Sequence, residues 1–399
     1  MHKTDSEKLA KAQSSLQAVK ARKDLGFFKI TERQELWSEV EKAATWAREK
    51  ADDLVVVGIG GSSLGPKALE EIFRDSKNLK RIHFCDNVDA VEFQKLKDNL
   101  RNLERTVWTF VSKSGSTIET LVTADLVFQE YAQKNLKPQC LVVSEKVKNP
   151  LTEWAQARQF TCLEIPVDIG GRYSVFTAVG MLPMAFLGHA PSLFRKGADQ
   201  ALQSDALVSE MMTQVYQSFQ RQEWISFFWF YSGLYANMGR WLQQLWAESL
   251  AKTVDRAGQP AHRVSTPMWA LGSSDQHSLL QQVMDGAKDK FVVFTRFQAV
   301  EAKGDQVQKS MFPLQNFFDG HSMGQLLSAQ AQGTRAALNE QKVSTLTLMT
   351  EGPSAESLGF QMMFWQLVVA GLGEMLNINA FDQPGVELGK RLAKQILKS

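Results

Sequence analysis

A phosphate group could be bound where four hydroxyls, one ammonium group and a glycine follow one another along the chain, in Ser112, Lys113, Ser114, Gly115, Ser116 and Thr117. A β-rich run ends at Val111 and a helical pattern begins at Ile118, so the segment is predicted to lie at a helix N-terminus. Unpaired N–H groups and the positive end of the helix dipole favour an anion there. One hydroxyl is enough to cap a helix, so this concentration of donors favours phosphate binding over capping alone.

A second glycine-rich loop follows the first predicted strand and contains Gly58, Gly60, Gly61, Ser62 and Ser63. It reads G-x-G-x-x-S, one residue away from a dinucleotide fingerprint, and Asp86 ends the next strand as a ribose-binding acid would. A nicotinamide-dependent dehydrogenase is therefore one alternative, and a tight turn with a serine cap is another. The serine at the sixth position, and the phosphate-type loop on a different strand, argue against the dehydrogenase.

A third loop places a permanent cation beside two glycines, in the sequence Gly170-Gly171-Arg172. The glycines allow the backbone to approach a ligand, and a guanidinium is the side chain best suited to an anion. A surface turn with a solvated arginine is the structural alternative.

The elements that must position these loops alternate between strand and helix. Strands are predicted at 54–57, 81–85, 106–111, 141–144 and 162–165, and again at 266–270, 290–294 and 344–349. Such alternation predicts an α/β fold with two doubly wound parallel-sheet domains and additional helices. The domains are placed at 47–187 and 188–399, after an N-terminal helical segment at 1–46. The apolar stretch 224–234 is interpreted as a buried aromatic helix, because it is too short to span a bilayer.

Composition excludes several classes of protein. Lys+Arg 45 against Asp+Glu 43 gives a net charge of +2, which argues against a nucleic-acid or polybasic membrane partner. The three cysteines have no C-x-x-C spacing, so no disulfide framework or metal site is expected, and a cytoplasmic location is predicted.

Taken together, the motifs resemble those of the phosphoglucose isomerase family, in that family's order: GIGGSSLGP (58–66), SKSGSTIET (112–120), DIGGRYSVFTAVG (168–180), SSDQHS (273–278), GHSMGQ (320–325) and FDQPGVELGK (381–390). The resemblance implies two sugar-isomerase (SIS) domains and a homodimer whose site is completed by the second subunit. It implies interconversion of glucose 6-phosphate and fructose 6-phosphate, in glycolysis and gluconeogenesis, without a cofactor or metal. The 112–117 loop would bind the sugar phosphate, and Gly60, Gly61, Ser62, Ser63, Glu119, Gly171, Gln276 and Gln383 would line the sugar site.

The catalytic roles that the resemblance implies suit these residue types. Aldose–ketose isomerisation opens the sugar ring and then moves a proton between C2 and C1 through a cis-enediolate. His321, from the neighbouring subunit, is assigned to ring opening with Lys390 assisting, since both can exchange protons near neutral pH. Arg172 is assigned to stabilising the anionic enediolate. Helix capping for His321 and a solvated position for Lys390 are the structural alternatives.

The base that moves the proton is the open assignment. In most of the family a glutamate follows the second domain's WG sequence, but here Trp269 is followed by Ala270-Leu271, with no carboxylate at the aligned place. Asp285, predicted at a helix C-terminus, is chosen because the helix dipole there favours a basic carboxylate. Asp275 and Glu119 are the alternatives. A protein that has lost its base could also be a sugar-phosphate sensor.

Overall fold

The computed structural model describes residues 5–75, 77–312, 314 and 316–398. Nine strands in these residues form two sheets, in which every pairing is parallel: β1 Asp53–Val57, β2 Arg81–Cys85, β3 Thr106–Val111, β4 Gln139–Ser144, β5 Thr161–Glu164, β6 Ile225–Phe230, β7 Thr266–Leu271, β8 Lys290–Phe297 and β9 Ser344–Thr350. The prediction of two parallel-sheet α/β domains is confirmed.

Strand order in the first sheet places the two glycine-rich loops side by side. The order is β2-β1-β3-β4-β5, and Val57 at the end of β1 pairs with Phe110 near the end of β3. The chain leaves β1 toward β2 on one side and leaves β3 toward β4 on the other. A crevice forms between strands whose connections diverge in this way, and ligands of α/β proteins bind there.

The second sheet has the order β7-β6-β8-β9, and its central strand β6 lies where a buried aromatic helix was predicted. That interpretation is wrong. Phe227, Phe228, Trp229 and Phe230 are all buried, because β6 has a neighbouring strand on each side and a hydrophobic layer on each face. A strand buried on both faces is apolar at successive positions, so it lacks the alternation that identifies an exposed strand.

Fifteen α-helices surround the sheets within the described residues: α1 Ser6–Ala21, α2 Gln34–Lys50, α3 Leu64–Phe73, α4 Ala90–Asn99, α5 Ile118–Gln133, α6 Pro150–Ala157, α7 Ala178–Leu187, α8 Pro191–Leu202, α9 Asp205–Gln220, α10 Ala236–Leu250, α11 Leu280–Asp285, α12 Gln298–Glu301, α13 Met323–Glu340, α14 Ala355–Met375 and α15 Glu387–Ile396. Short 3-10 turns include Phe27–Glu32, Gly60–Ser62, Gly171–Phe176, Ser274–His277 and Pro384–Val386. Among the helices described, none combines the length and the apolar composition needed to cross a membrane.

One hydrophobic core joins the two sheets through the helices between them. Leu54 and Val56 of β1 lie in the same buried cluster as Phe228 of β6 and Leu245 of α10. The outer faces of the two sheets form separate clusters, one around Trp108 and the other around Trp229. Since α10 and α14 pack between the sheets, they can carry side chains of the second half to loops of the first.

The N-terminal segment packs on both halves of the molecule. α1 contacts α9 and α14, whereas α2 contacts α7 and β5. The turn between them reaches the third glycine loop, because Arg33 forms two hydrogen bonds with Asp168 and the Gly26 N–H donates to the Asp168 carbonyl at 2.9 Å. The boundaries at 46 and 187 stay predictions.

Candidate active site

Arg172 lies at the centre of a group of polar side chains between the two halves. Its side chain is 2% exposed. Nε donates to Ser249 Oγ at 2.7 Å and Nη1 to Gln383 Oε1 at 2.9 Å. Nη2 donates to the carbonyls of Ala380 and Asp382, at 2.6 and 3.1 Å. A buried guanidinium needs all of these acceptors, so Arg172 fixes the C-terminal segment 380–383 and the end of α10 relative to its own turn.

Glycines allow the loops around Arg172 to approach one another. A Cβ on Gly61 would lie 2.3 Å from the Gly171 carbonyl oxygen, so the first and third glycine loops are in backbone contact. Gly60 has φ +61°, and a Cβ there would lie 2.8 Å from Gln244 Nε2. Both positions therefore require glycine, the first for space and the second for conformation as well. By contrast, space beside Gly171 is open within 4 Å.

Glu248 of α10 adds a carboxylate to this group, and sequence analysis missed it. Its Oε2 lies 3.5 Å from Arg172 Nη1, and its Oε1 accepts from Gln244 Nε2 at 3.0 Å. The side chain is 33% exposed, so a ligand can reach it. Gln244 and Glu248 are one turn apart on the same helix face. The available signal was weak: Glu248 is the single acid in an otherwise apolar and neutral-polar helix apart from Arg240.

The predicted phosphate loop has the features of an anion site. Thr117 is the N-cap of α5, yet its side chain makes no capping hydrogen bond and pairs instead with Ser112 Oγ at 2.8 Å. Ser114 Oγ and Ser116 Oγ lie 3.0 Å apart, and Lys113 Nζ lies 3.0 Å from Glu145 Oε1. The first-turn N–H groups of a sixteen-residue helix are therefore left uncapped by side chains and surrounded by hydroxyls.

The backbone at Gly115 holds this loop in shape. Gly115 has φ +63°, and a Cβ there would lie 1.8 Å from Asn149 Oδ1. Asn149 is the N-cap of α6, where its side chain accepts the Thr152 N–H. Only glycine fits between these constraints.

Asp86, the acid on which the dehydrogenase alternative depended, is already paired. Its Oδ2 accepts from Ser63 Oγ at 3.1 Å and lies 2.6 Å from Lys67 Nζ. These bonds attach the first glycine loop to β2. They involve one of its two carboxylate oxygens and give Asp86 a structural role, so the geometry does not single it out as a ribose-binding acid.

His321, Gln276 and His277 lie away from Arg172, beyond the carboxyl edge of the second sheet. Gln276 donates to Tyr231 Oη at 2.8 Å and to Thr334 Oγ1 at 2.7 Å. His277 ends the turn that follows β7, and His321 precedes Ser322, the N-cap of α13. Both histidines are exposed. α10 begins near this edge and carries Glu248 twelve residues further on, which corresponds to about 18 Å along the helix.

Asp285 is not in this group either, and its assignment as the base stays a prediction. It is the last residue of α11, one short loop before β8 begins at Lys290, so it lies at the amino edge of the second sheet. Val283 of α11 packs on the outer face of that sheet, whereas α10 packs on the inner face. The sheet therefore separates Asp285 from Glu248 and Arg172.

The other two candidate bases, Asp275 and Glu119, have different surroundings. Asp275 accepts the Leu271 N–H at 2.7 Å and the Ser278 hydroxyl at 3.0 Å, so its carboxylate stabilises its own turn. Glu119 lies half-buried in the first turn of α5, beside the phosphate loop.

Lys390 is on α15, the helix that follows the Pro384–Val386 turn. Its Nζ lies 2.9 Å from Glu387 Oε1, and its side chain is 63% exposed. Gln383 precedes the turn and is bonded to Arg172. The structure thus brings Gln383 into the group and leaves Lys390 two helical turns further along the chain.

A family model described as phosphoglucose isomerase matches residues 29–399. The chain is 34% identical to a glucose-6-phosphate isomerase of Thermus thermophilus, over 94% of this chain and 90% of that protein. It is 31% identical to a glucose-6-phosphate isomerase of Campylobacter jejuni, over 88% of this chain and 87% of that protein.

Solved structures agree with these sequence matches. A Thermus thermophilus protein described only as hypothetical has a TM-score of 0.89 at 31% identity, over 98% of this chain and 95% of that chain. A glucose-6-phosphate isomerase from Chlamydia trachomatis has a TM-score of 0.79 at 26% identity, over 92% of this chain and 73% of that chain. A tagatose-6-phosphate ketose/aldose isomerase from Escherichia coli, at 15% identity and a TM-score of 0.53, shares the fold.

Proposed function

The chain belongs to the phosphoglucose isomerase family, and from that membership we propose how its residues interconvert glucose 6-phosphate and fructose 6-phosphate. The observation that carries the proposal is the group formed by Arg172, Glu248 and Gln383. In this group the Glu248 carboxylate and the Gln383 amide lie within hydrogen-bonding distance of the Arg172 guanidinium, which is a permanent cation. The space beside Gly171, the residue before Arg172, is open.

The 112–117 loop binds the phosphate of the sugar. Its support is the uncapped N-terminus of α5 with the paired hydroxyls of Ser112 and Thr117. The neighbouring loop of Gly60, Gly61, Ser62 and Ser63 lies between the phosphate loop and Arg172 in the crevice of the first sheet. A phosphate held at α5 therefore directs the sugar carbons toward Arg172.

Glu248 is the base that moves the proton between C2 and C1. In the forward direction its carboxylate takes the C2 proton of the open-chain aldose, which leaves a cis-enediolate. It then delivers a proton to C1 while the O2 hydroxyl proton passes to O1, which gives the ketose. The Arg172 guanidinium stabilises the oxyanion as it forms, without reorganising, because five acceptors already hold it in place. Gln244 orients Glu248 through its amide.

A second copy of the chain completes the site with its histidine. Within one chain, His321 lies in the connection that leaves the carboxyl end of β8, whereas Glu248 is in the last turn of α10, which returns toward the amino edge of the same sheet, so we assign the two to different sites. A symmetric dimer turns each carboxyl edge toward the partner's crevice and makes two identical sites. His321, with Lys390 assisting, then opens the sugar ring. The free thiols of Cys85, Cys140 and Cys162 suit a cytoplasmic location.

The activity is tested with purified protein in a coupled assay that converts fructose 6-phosphate to glucose 6-phosphate. We expect turnover without an added metal or nucleotide. Saturable binding of the sugar phosphate without turnover would instead indicate a sensor and would overturn the proposal.

The shared site is tested by mixing two impaired variants, Glu248→Gln and His321→Ala. Each mixed dimer would contain one intact site and one doubly altered site, so random exchange restores about a quarter of the parent activity. A mixture no more active than its components would refute the shared site. The same mixture with His277→Ala decides which of the two histidines acts, since only the acting one is both impaired alone and restored on mixing.

A further inference from the structure

Lys252 lies just beyond α10 and makes contacts that link this helix to the segment before α15. Its Nζ donates to the Glu248 carbonyl at 2.7 Å and to the Asp382 carbonyl at 2.7 Å. It also lies 3.2 Å from Asp382 Oδ1. The side chain is 8% exposed, so these three oxygens replace most of its hydration.

Two cations meet at one oxygen in this arrangement. The Asp382 carbonyl accepts from Lys252 Nζ and, at 3.1 Å, from Arg172 Nη2. The next residue, Gln383, places its own amide oxygen on Arg172 Nη1. Lys252, just after α10, and Arg172, in the third glycine loop, therefore both bind the backbone at Asp382.

The same lysine also closes the last turn of α10. The carbonyl of Glu248 is one of the four that a helix C-terminus leaves without an intrahelical partner, and Lys252 Nζ satisfies it. The residue whose carboxylate faces Arg172 is thus bound through its backbone to the segment that supplies Gln383. Loss of Lys252 would loosen both sides of the group at once.

Lys252 is shielded from water and has charges of both signs nearby. Burial lowers the pKa of Lys252, and the nearby charge of Arg172 acts in the same direction, while Asp382 and Glu248 act against it. Asp382 is itself held by Asn379, whose Nδ2 donates to Oδ2 at 2.9 Å. The contacts that Lys252 makes are to protein oxygens, so its role is to fix other groups rather than to touch the sugar.

We propose that Lys252 is a positioning residue of the active site: by holding the Asp382 carbonyl together with Arg172, it keeps Gln383 and Glu248 in place for the proton transfer. The proposal rests on the proposed function of Arg172 and Glu248. Phosphate is bound at the other side of the crevice, by a loop that Lys252 does not contact. Substrate affinity should therefore depend little on Lys252, whereas the chemical step should depend on it strongly.

The test compares Lys252→Met with Lys252→Arg and the parent. Methionine keeps the apolar stem and removes the donors, and arginine keeps both donors and charge. We expect Lys252→Met to lower kcat by about 10- to 100-fold with KM changed by less than about threefold, because a misplacement of about 1 Å is enough for such a loss. Lys252→Arg should recover most of the lost kcat.

A matched control is Lys290→Met. Lys290 is also buried, with Nζ bound to the Ala287 carbonyl at 2.8 Å and to Asp289 Oδ1 at 2.7 Å, but it begins β8 and has no contact with the site. It should lower thermal stability with kcat unchanged. If Lys252→Met behaves in the same way, Lys252 is merely structural and the inference is wrong.

Asp382→Asn provides a measurement that does not depend on the folding of Lys252→Met. It removes the ion pair and keeps the carbonyl, so kcat should stay within about threefold of the parent if the carbonyl is the anchor. A loss of tenfold or more would assign the anchor to the carboxylate and overturn the inference. An inactive parent would refute the proposed function itself, whereas an active parent with an active Lys252→Met variant refutes only the role of Lys252.

Discussion

Replacing Glu248 with glutamine is the sharpest test of the proton-transfer step. Glutamine has the same length and keeps an oxygen for the Gln244 amide, which donates to Glu248 Oε1 at 3.0 Å. It cannot accept a proton from carbon at neutral pH. The variant therefore removes the base while leaving most of the surrounding hydrogen bonds in place.

The size of the effect follows from what each contact contributes. A positioned general base contributes about 10²- to 10⁴-fold, which corresponds to about 2.7–5.4 kcal/mol of barrier. The contact between Glu248 and Arg172 is long, at 3.5 Å, and Arg172 keeps Ser249, Gln383 and two carbonyls as partners. A partly exposed ion pair of this kind contributes about 0–1 kcal/mol to folding. Activity should therefore fall far more than stability.

The assay measures kcat in the coupled reaction, exchange of the C2 proton with deuterium from the solvent, and unfolding in urea. Glu248→Gln should lose kcat and exchange together. Glu130→Gln is the matched control, because Glu130 is a half-buried carboxylate paired with Lys134 and Lys97 near the far end of α5. Asp285→Asn should keep activity within about threefold, since a surface acid away from the site has no part in the chemistry. Full exchange by Glu248→Gln, or loss of exchange by Asp285→Asn, would refute the assignment of the base.

Four further changes test other parts of the structure. Arg172→Lys should lower kcat by about 100-fold or more, because an ammonium cannot reproduce the guanidinium fork, and the folded fraction is checked by circular dichroism. Thr117→Val should raise KM for fructose 6-phosphate by about tenfold with kcat nearly unchanged, and should weaken competitive inhibition by inorganic phosphate in parallel. Arg33→Met removes the pair with Asp168 that supports the third glycine loop, so kcat should fall by about tenfold and Arg33→Lys should recover only part of it. Burial raises the pKa of Tyr131 to about 12. Between pH 10 and 12 the folded protein therefore keeps this proton while the unfolded chain loses it. The free energy of unfolding should be unaffected below about pH 10 and fall by up to about 3 kcal/mol as the pH rises toward 12. Urea unfolding at several pH values gives the dependence of the free energy of unfolding on pH. This dependence should be weaker in Tyr131→Phe than in the parent, and an equal dependence would contradict the raised pKa of Tyr131.

The first half of the fold could be predicted from the sequence because its strands end in recognisable loops. All five strands of that sheet were predicted, and β2 and β3 have the predicted bounds. In the second half β6 was misassigned. Its run from Ile225 to Phe230 contains one polar residue, Ser226, and periodicity cannot separate a strand buried on both faces from a short buried helix. The length of six residues was the better indicator, because it is typical of a strand.

The loops of the site were predictable, but the carboxylate was not. Gly115 and Arg172 have sequence neighbours that reveal a turn and an exposed N-terminus. Glu248 lies inside a helix whose large apolar residues, such as Trp241 and Leu245, are buried in the core, so the sequence around it predicts a core helix and does not indicate a ligand. Asp285 was chosen on a local argument about the helix dipole. That argument does not reveal on which face of the second sheet a helix packs, and α11 packs on the outer face, opposite to α10.

The position of Glu248 follows from how the two halves are joined. α10 lies between the sheets and contacts both halves near its start. Gly239 packs so closely on Trp269 that a Cβ there would lie 2.7 Å from the ring, and the Asn237 N–H donates to Glu71 Oε2 at 2.7 Å. The helix is thereby fixed against both halves before it reaches the crevice. Gln244 and Glu248 lie one turn apart on α10, and Lys252 follows just beyond its end. The end of this helix thus supplies an orienting amide, a carboxylate that faces Arg172 and an ammonium that anchors the Asp382 carbonyl. A base carried on such a rigid element needs no loop closure to find its place. The 384–386 turn and α15 after Gln383 contain no buried residue, so the bonds that Arg172 and Lys252 make to the Asp382 carbonyl are what attach this segment to the group.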